Sequence, residues 1–250
     1  MSNIVCSLLV ASIGYLFCVF DKSYKRKAKF IFTERINVCN TYIIKMNLTR
    51  LAMFILSCRQ NGVPFQVTRD SLGCTLAFRG SSSIYDFVTD LKSTQVRCNS
   101  GGLVSAFADA HHKLRAQYHT SLLSMQCLSN ETVITGHSIG GAIGAIAAIE
   151  MKLPVVTFAS PKVACSRNVV CPALIRVNCA GDPIPSLPRP RNGHIPRHLG
   201  TLVFVPPLKT PFHQRVRMPI PWHYAAVFSA LDKHYLEYYI AHVKEMESQN

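Results

Sequence analysis

The segment GHSIGG, residues 136–141, marks an abrupt change of pattern and limits how this chain can fold. The residues before it, 132–135, are β-branched and typical of a strand. Those after it, 139–150, are small and apolar for about three turns, which predicts a buried helix. A strand and a helix that meet on so few residues require a tight turn, and glycines suit such a turn.

The turn has the pattern G-x-S-x-G, with Gly136 and Gly140 on either side of Ser138. In α/β hydrolases this pattern lifts a nucleophilic serine above the sheet, at the positive end of the following helix. The pattern therefore predicts that Ser138 is a nucleophile. The alternative is a glycine-rich helix start at which Ser138 is an ordinary N-cap.

Strand-like and helix-like segments alternate along the chain. Strands are predicted at 63–69, 74–80, 131–135, 154–160, 173–180 and 201–205, and helices at 105–125, 139–150 and 228–246. This alternation predicts an α/β fold, with a mostly parallel central sheet and helices on both faces. At 250 residues the chain is short enough for one domain, which we expect over residues 30–250.

A nucleophilic serine requires a base and a carboxylate that orients the base. Beyond Ser138, Asp182 is the acidic residue that directly follows a predicted strand, where catalytic groups are commonly presented. An aspartate before Pro183 is also a common turn residue, so the position alone leaves both interpretations open.

Several ordered segments resemble the class 3 lipase family of fungal-type triacylglycerol lipases. They are AFRGSSSIYDFVTDL (77–91), GHSIGGAIGAIAA (136–148), TFASPKV (157–163), RVNCAGDPIPSLP (176–188) and HLGTLVFV (198–205). The resemblance implies the α/β-hydrolase fold over about residues 63–240. It also implies a catalytic triad of Ser138, Asp182 and His234, the last within LDKHYLEYY. His223, within PWHYAAVF, is the alternative base.

The same resemblance implies further roles around the nucleophile. Ile139 and Ser81 would donate backbone N–H groups to the oxyanion, and Ser81 would add its hydroxyl. His137 matches the family's elbow. Ala159 departs from the glycine that is usual at this position, and we expect its small side chain to be tolerated. Residues 83–93 occupy the place of the family's lid, where Ile84, Tyr85, Phe87 and Val88 would either form an apolar patch or belong to the core of a fixed helix.

We therefore expect a serine ester hydrolase that cleaves acyl esters of lipids through an acyl-enzyme on Ser138 and needs no cofactor. The sequence contains no CxxC or HExxH motif of the kind that holds a metal. The alternative is a catalytically silent hydrolase-like module that binds a membrane or a partner. The sequence leaves open the acyl-chain length and the head group of the substrate, whether the acyl group is transferred or hydrolysed, and the oligomeric state of the protein.

The strongly basic charge narrows the range of partners. The net charge is +14 and the isoelectric point is about 9.5, which would attract nucleic acid or an anionic membrane. No zinc-finger spacing, phosphate loop or RNA-recognition motif is present, so we expect a membrane or lipid surface and no nucleic acid.

The first 29 residues form a separate hydrophobic segment with a basic flank. Residues 4–20 carry no charge, and the cluster DKSYKRKAK follows them. This order predicts a membrane anchor with the domain on the cytoplasmic side. The alternatives are a helix packed on the domain, or a signal peptide, which would make the protein secreted.

The ten cysteines show no paired spacing. Several lie in apolar runs, among them Cys74 and Cys179, which is typical of buried thiols. We therefore expect mostly reduced cysteines. A secretory signal would reverse that expectation and predict disulfides.

Overall fold

The computed structural model describes residues 47–81, 97–127, 131–171, 173–190, 193–205 and 234–248. Residues 4–20, the basic cluster after them, residues 83–93 and His223 lie outside the described residues, and so do residues 30–46 and the rest of 206–233, which the predicted domain would include. The predictions made for them stay predictions.

The described strands form one sheet whose strands follow one another in chain order. They are β1 Phe65–Asp70, β2 Gly73–Phe78, β3 Thr132–His137, β4 Val155–Phe158, β5 Leu174–Cys179 and β6 Thr201–Val205. β1 pairs antiparallel with β2, and every later pairing is parallel. The described helices are α1 Leu48–Gln60, α2 Ser105–Ser124, α3 Ile139–Met151 and α4 Leu236–Ser248, with a 3-10 turn at Ile184–Ser186.

Strand residues alternate between two cores, as the period of two requires. Leu76 faces a cluster that contains residues of α2 and α3, whereas Ala77 faces a cluster that contains residues of α1 and α4. Helices therefore cover both faces of a mostly parallel sheet, which confirms the predicted α/β fold.

The closing helix begins later than predicted. It was expected over 228–246, but α4 begins at Leu236, and His234 lies in a turn before it. From Leu236 onward, apolar side chains at helical spacing pack on the core, as Leu236 and Tyr239 do, whereas His234 bonds Ser138 and Asp182 instead. The shift matters because it leaves the His234 side chain at the edge of the sheet.

The expectation of mostly reduced cysteines is wrong for the described residues. Cys74 pairs with Cys127 and Cys98 pairs with Cys165, while Cys58, Cys171 and Cys179 are free and buried. Cys74 is the second residue of β2, and Cys127 follows α2, 53 residues later. A pairing over that distance depends on how α2 packs against the sheet, which local apolar runs do not encode.

Within the described ranges, no helix is both long enough and apolar enough to cross a bilayer.

Candidate active site

Ser138 occupies a strained hinge between β3 and α3. Its backbone angles are φ 57° and ψ −127°, a combination that residues with a side chain rarely adopt. Its side chain makes no capping hydrogen bond to the helix, and the residue is 3% exposed. The N-cap interpretation therefore fails, and the conformation is that of a nucleophile elbow.

The glycines around Ser138 are required because backbone passes where their side chains would be. A Cβ on Gly136 would lie 2.3 Å from the carbonyl oxygen of Gly140. One on Gly140 would lie 2.2 Å from the carbonyl oxygen of Arg79, at the end of β2. Both distances are far inside van der Waals contact, so the elbow can close only with glycine at these positions.

His234 reaches Ser138 from one side and Asp182 from the other. Its Nε2 lies 2.8 Å from Ser138 Oγ, and its Nδ1 lies 3.0 Å and 3.1 Å from the two carboxylate oxygens of Asp182. A carboxylate only accepts hydrogen bonds, so Nδ1–H donates to Asp182. The Nε2 lone pair is then directed at the serine hydroxyl, which is the arrangement of a serine–histidine–aspartate triad.

Asp182 is held by two further donors. Its side chain is fully buried, and Ile184 N–H donates to Oδ1 at 2.9 Å. The hydroxyl of Tyr239 donates to Oδ2 at 2.7 Å and accepts a bond from Cys179 N–H at 3.0 Å. Asp182 is thus both the turn residue and the partner of the histidine, and the two interpretations left open by the sequence are compatible.

Tyr239 was missed by the sequence reasoning. Burial, and then the charge of Asp182, raise the pKa of its phenol well above the usual value, so the hydroxyl stays protonated as a donor. In the sequence Tyr239 is only an aromatic residue in the first turn of α4, shortly after His234. Tyr238 is an aromatic residue in the same turn, so the sequence does not show which of the two meets Asp182.

His137 supports the backbone of the histidine. Its Nε2–H donates to the carbonyl oxygen of His234 at 2.7 Å, and the two ring centroids are 4.8 Å apart. Burial, and then the neighbouring His234, hold the pKa of His137 well below its ordinary value, so its ring is neutral. The elbow and the turn before α4 are therefore tied together by one hydrogen bond.

The two predicted oxyanion donors lie where the elbow meets β2. Ile139 is the first residue of α3, where helical N–H groups have no partner in their own helix. Ser81 follows Gly80, and a Cβ on Gly80 would lie 2.9 Å from Ser138 Cβ, so this backbone passes directly beside the serine. Their role as donors stays a prediction.

Ala159 meets a backbone constraint in addition to the limit on side-chain size that the sequence predicted. It has φ 53°, a left-handed conformation that glycine adopts without penalty. At this backbone angle alanine costs about 1 kcal/mol relative to glycine, a cost that the size of the side chain does not reveal.

The strand, the strained elbow and the three hydrogen-bonded side chains define the site of an α/β hydrolase. The family profile described as "Lipase (class 3)" matches residues 75–192 of this chain. The Caenorhabditis elegans protein Lipase ZK262.3 is 30% identical over 165 residues, which are 57% of this chain and 46% of that protein. The chain thus spans about half the length of this curated relative.

Two solved fungal structures are also similar. A Rhizomucor miehei lipase propeptide complex is 17% identical with a TM-score of 0.45, over 60% of this chain and 62% of that chain. A lipase from Rhizopus microsporus var. chinensis is 14% identical with a TM-score of 0.48, over 66% and 73%.

Proposed function

We propose that this protein is a serine ester hydrolase that cleaves acyl esters of lipids. The observation that carries the proposal is the position of His234, whose two ring nitrogens bond Ser138 and Asp182 at once. The choice of lipid esters is supported by the class 3 lipase profile that matches residues 75–192 and by the similarity to Lipase ZK262.3.

The reaction follows from this geometry. His234 Nε2 takes the hydroxyl proton as Ser138 Oγ attacks the ester carbonyl, and Asp182 stabilises the imidazolium. The N–H groups of Ile139 and Ser81 receive the oxyanion. His234 then passes its proton to the leaving alcohol, which departs and leaves an acyl-enzyme.

Water completes the cycle. His234 removes a proton from water as the water attacks the acyl-enzyme, and the fatty acid leaves as Ser138 regains its proton. These side chains supply the acid–base and nucleophilic steps themselves.

Replacing the nucleophile tests the proposal. We expect the purified protein to hydrolyse a short-chain p-nitrophenyl ester, and Ser138→Ala to lower kcat by several orders of magnitude, roughly 10⁴-fold or more. Circular dichroism of the variant should match the wild type. Equal rates for the two proteins would favour the silent hydrolase-like module instead.

We further propose that the protein folds in an oxidising compartment, and this favours export over a cytoplasmic domain. Support comes from the Cys74–Cys127 and Cys98–Cys165 pairs, because disulfides are rare in the cytosol. Alkylation of protein recovered from its native cell without reductant, followed by mass mapping, should find these four thiols blocked from the alkylating reagent. Alkylated Cys74 and Cys98 would contradict the proposal.

A further inference from the structure

Acidic residues are nearly absent from the third of the chain that follows α3. Between Glu150 and Asp232 the sole acid is Asp182, against ten basic residues. Those basic residues are Lys152, Lys162, Arg167, Arg176, Arg189, Arg191, Arg197, Lys209, Arg215 and Arg217. Because Asp182 is buried against His234, it offers no charge to the surface.

The structure gathers four of these cations on two adjoining loops. The described parts of these loops are residues 159–171, 183–190 and 193–199, and we call Lys162, Arg167, Arg189 and Arg197 the cationic face. Ala164 and Arg197 exchange both backbone hydrogen bonds, at 2.7 Å and 3.2 Å. Lys162 Nζ donates to the carbonyl oxygen of Ser186 at 2.6 Å, which joins the loops a second time.

The cationic face has no acidic partner among the described residues. The described arginines that form ion pairs, such as Arg50 with Asp70 and Arg115 with Glu150, lie on other elements of the fold. Two cations of the face are close enough for the charge of one to affect the pKa of the other. Burial, and then the charge of Arg189, lower the pKa of Lys162.

The cationic face adjoins the triad. Ser186 ends the 3-10 turn that begins two residues after Asp182, and Ile184 of that turn bonds Asp182 directly. On the other loop, Ser160 contacts the elbow helix, since a Cβ on Gly141 would lie 2.9 Å from Ser160 Cβ. Lys162 follows two residues later. Lys162 therefore lies beside the carboxyl edge of the sheet, where Ser138 is placed, and Arg189 follows Ser186 by three residues on the adjoining loop.

Exposed apolar side chains lie on the same two loops. Val170 is 68% exposed and Ile195 is 67% exposed. Cations mixed with apolar side chains are typical of surfaces that enter the headgroup region of a membrane. Nucleic acid would use the cations but would leave both apolar side chains in water.

We propose that the cationic face docks the protein on an anionic phospholipid surface and so presents the triad to lipid esters in that surface. The purpose of this docking rests on the function proposed above, whereas the binding itself does not require catalysis. Arg167 and Arg189 are the exposed cations of the face and carry most of the attraction.

Vesicle binding tests this proposal, with every variant built in full-length Ser138→Ala protein so that no lipid is consumed. Sedimentation with phosphatidylcholine vesicles, with and without phosphatidylserine, gives the partition coefficients. Each basic residue at such a surface strengthens binding by about 5-fold, so Arg167→Gln with Arg189→Gln should weaken binding to the anionic vesicles by about 30-fold. Added salt should shrink this difference.

A matched variant separates the face from total charge. Lys113→Gln with Lys244→Gln removes the same charge from exposed positions on α2 and α4, and should change the partition by less than about 2-fold. Equal losses in both double variants would overturn the proposal. So would face variants that lose binding to a DNA duplex but keep binding to the vesicles.

The orientation of the bound protein gives an independent readout, which membrane binding by residues 1–29 does not obscure. The chain has one tryptophan, Trp222, so Trp222→Phe clears the background. With Ile195→Trp added, brominated lipid should quench the fluorescence. With Leu123→Trp added instead, it should not, because Leu123 is 79% exposed near the end of α2, at the opposite edge of the sheet. Stronger quenching from position 123 would contradict the proposed docking.

Discussion

His234→Ala is expected to lower kcat for a soluble ester about as far as Ser138→Ala, by on the order of 10⁴- to 10⁶-fold. The reason is geometric, since His234 lies within hydrogen-bond distance of both Ser138 and Asp182, and a triad acts as a unit. Steady-state kinetics on a p-nitrophenyl ester measure the loss.

Two other histidines serve as controls for that result. His198→Ala should retain much of the activity, because His198 donates to the carbonyl oxygen of Pro185 and not to the nucleophile. We expect the same of His223→Ala. An active His234→Ala together with an inactive His223→Ala would show that the base has been assigned to the wrong residue.

Gly140→Ala is expected to destabilise the fold and to remove activity at the same time. The added methyl would lie 2.2 Å and 2.5 Å from the carbonyl oxygens of Arg79 and Phe78, and neither backbone can move without displacing β2 from the elbow. We expect a loss of about 3 kcal/mol, at the upper end of common overpacking costs. For a chain of this size that corresponds to a Tm lower by about 6–12 °C.

Gly144→Ala provides the matched control on the same helix. Its added methyl would meet Ile134 and Phe78 side chains at 3.3 Å and 3.4 Å, which small shifts accommodate. The change also gains about 1 kcal/mol of helix propensity. We expect a Tm within about 3 °C of the wild type. If the two variants melt together, the close packing at the elbow does not limit stability.

The sequence predicted those parts of the molecule whose signals are local. The elbow is encoded within residues 132–150 by the change from β-branched to small residues. The strand at 201–205 was predicted with the bounds that the structure has. Alternation and turn residues act over a few positions, so a sequence shows them directly.

The parts that were missed depend on contacts between distant segments. The Cys98–Cys165 disulfide joins residues 67 positions apart, and Tyr239 meets Asp182 across 57 positions. The true start of α4 at Leu236 depends on packing against the sheet. In each case the deciding contact forms only after the sheet has assembled.

Labelling with a fluorophosphonate probe tests the central claim most directly, because the probe reacts with activated serines and not with ordinary hydroxyls. We predict stoichiometric labelling of the wild-type protein, with the added mass on the peptide that contains Ser138, and no labelling of Ser138→Ala or His234→Ala. Folded wild-type protein that stays unlabelled, or that carries the label on another serine, would contradict the assignment of this site.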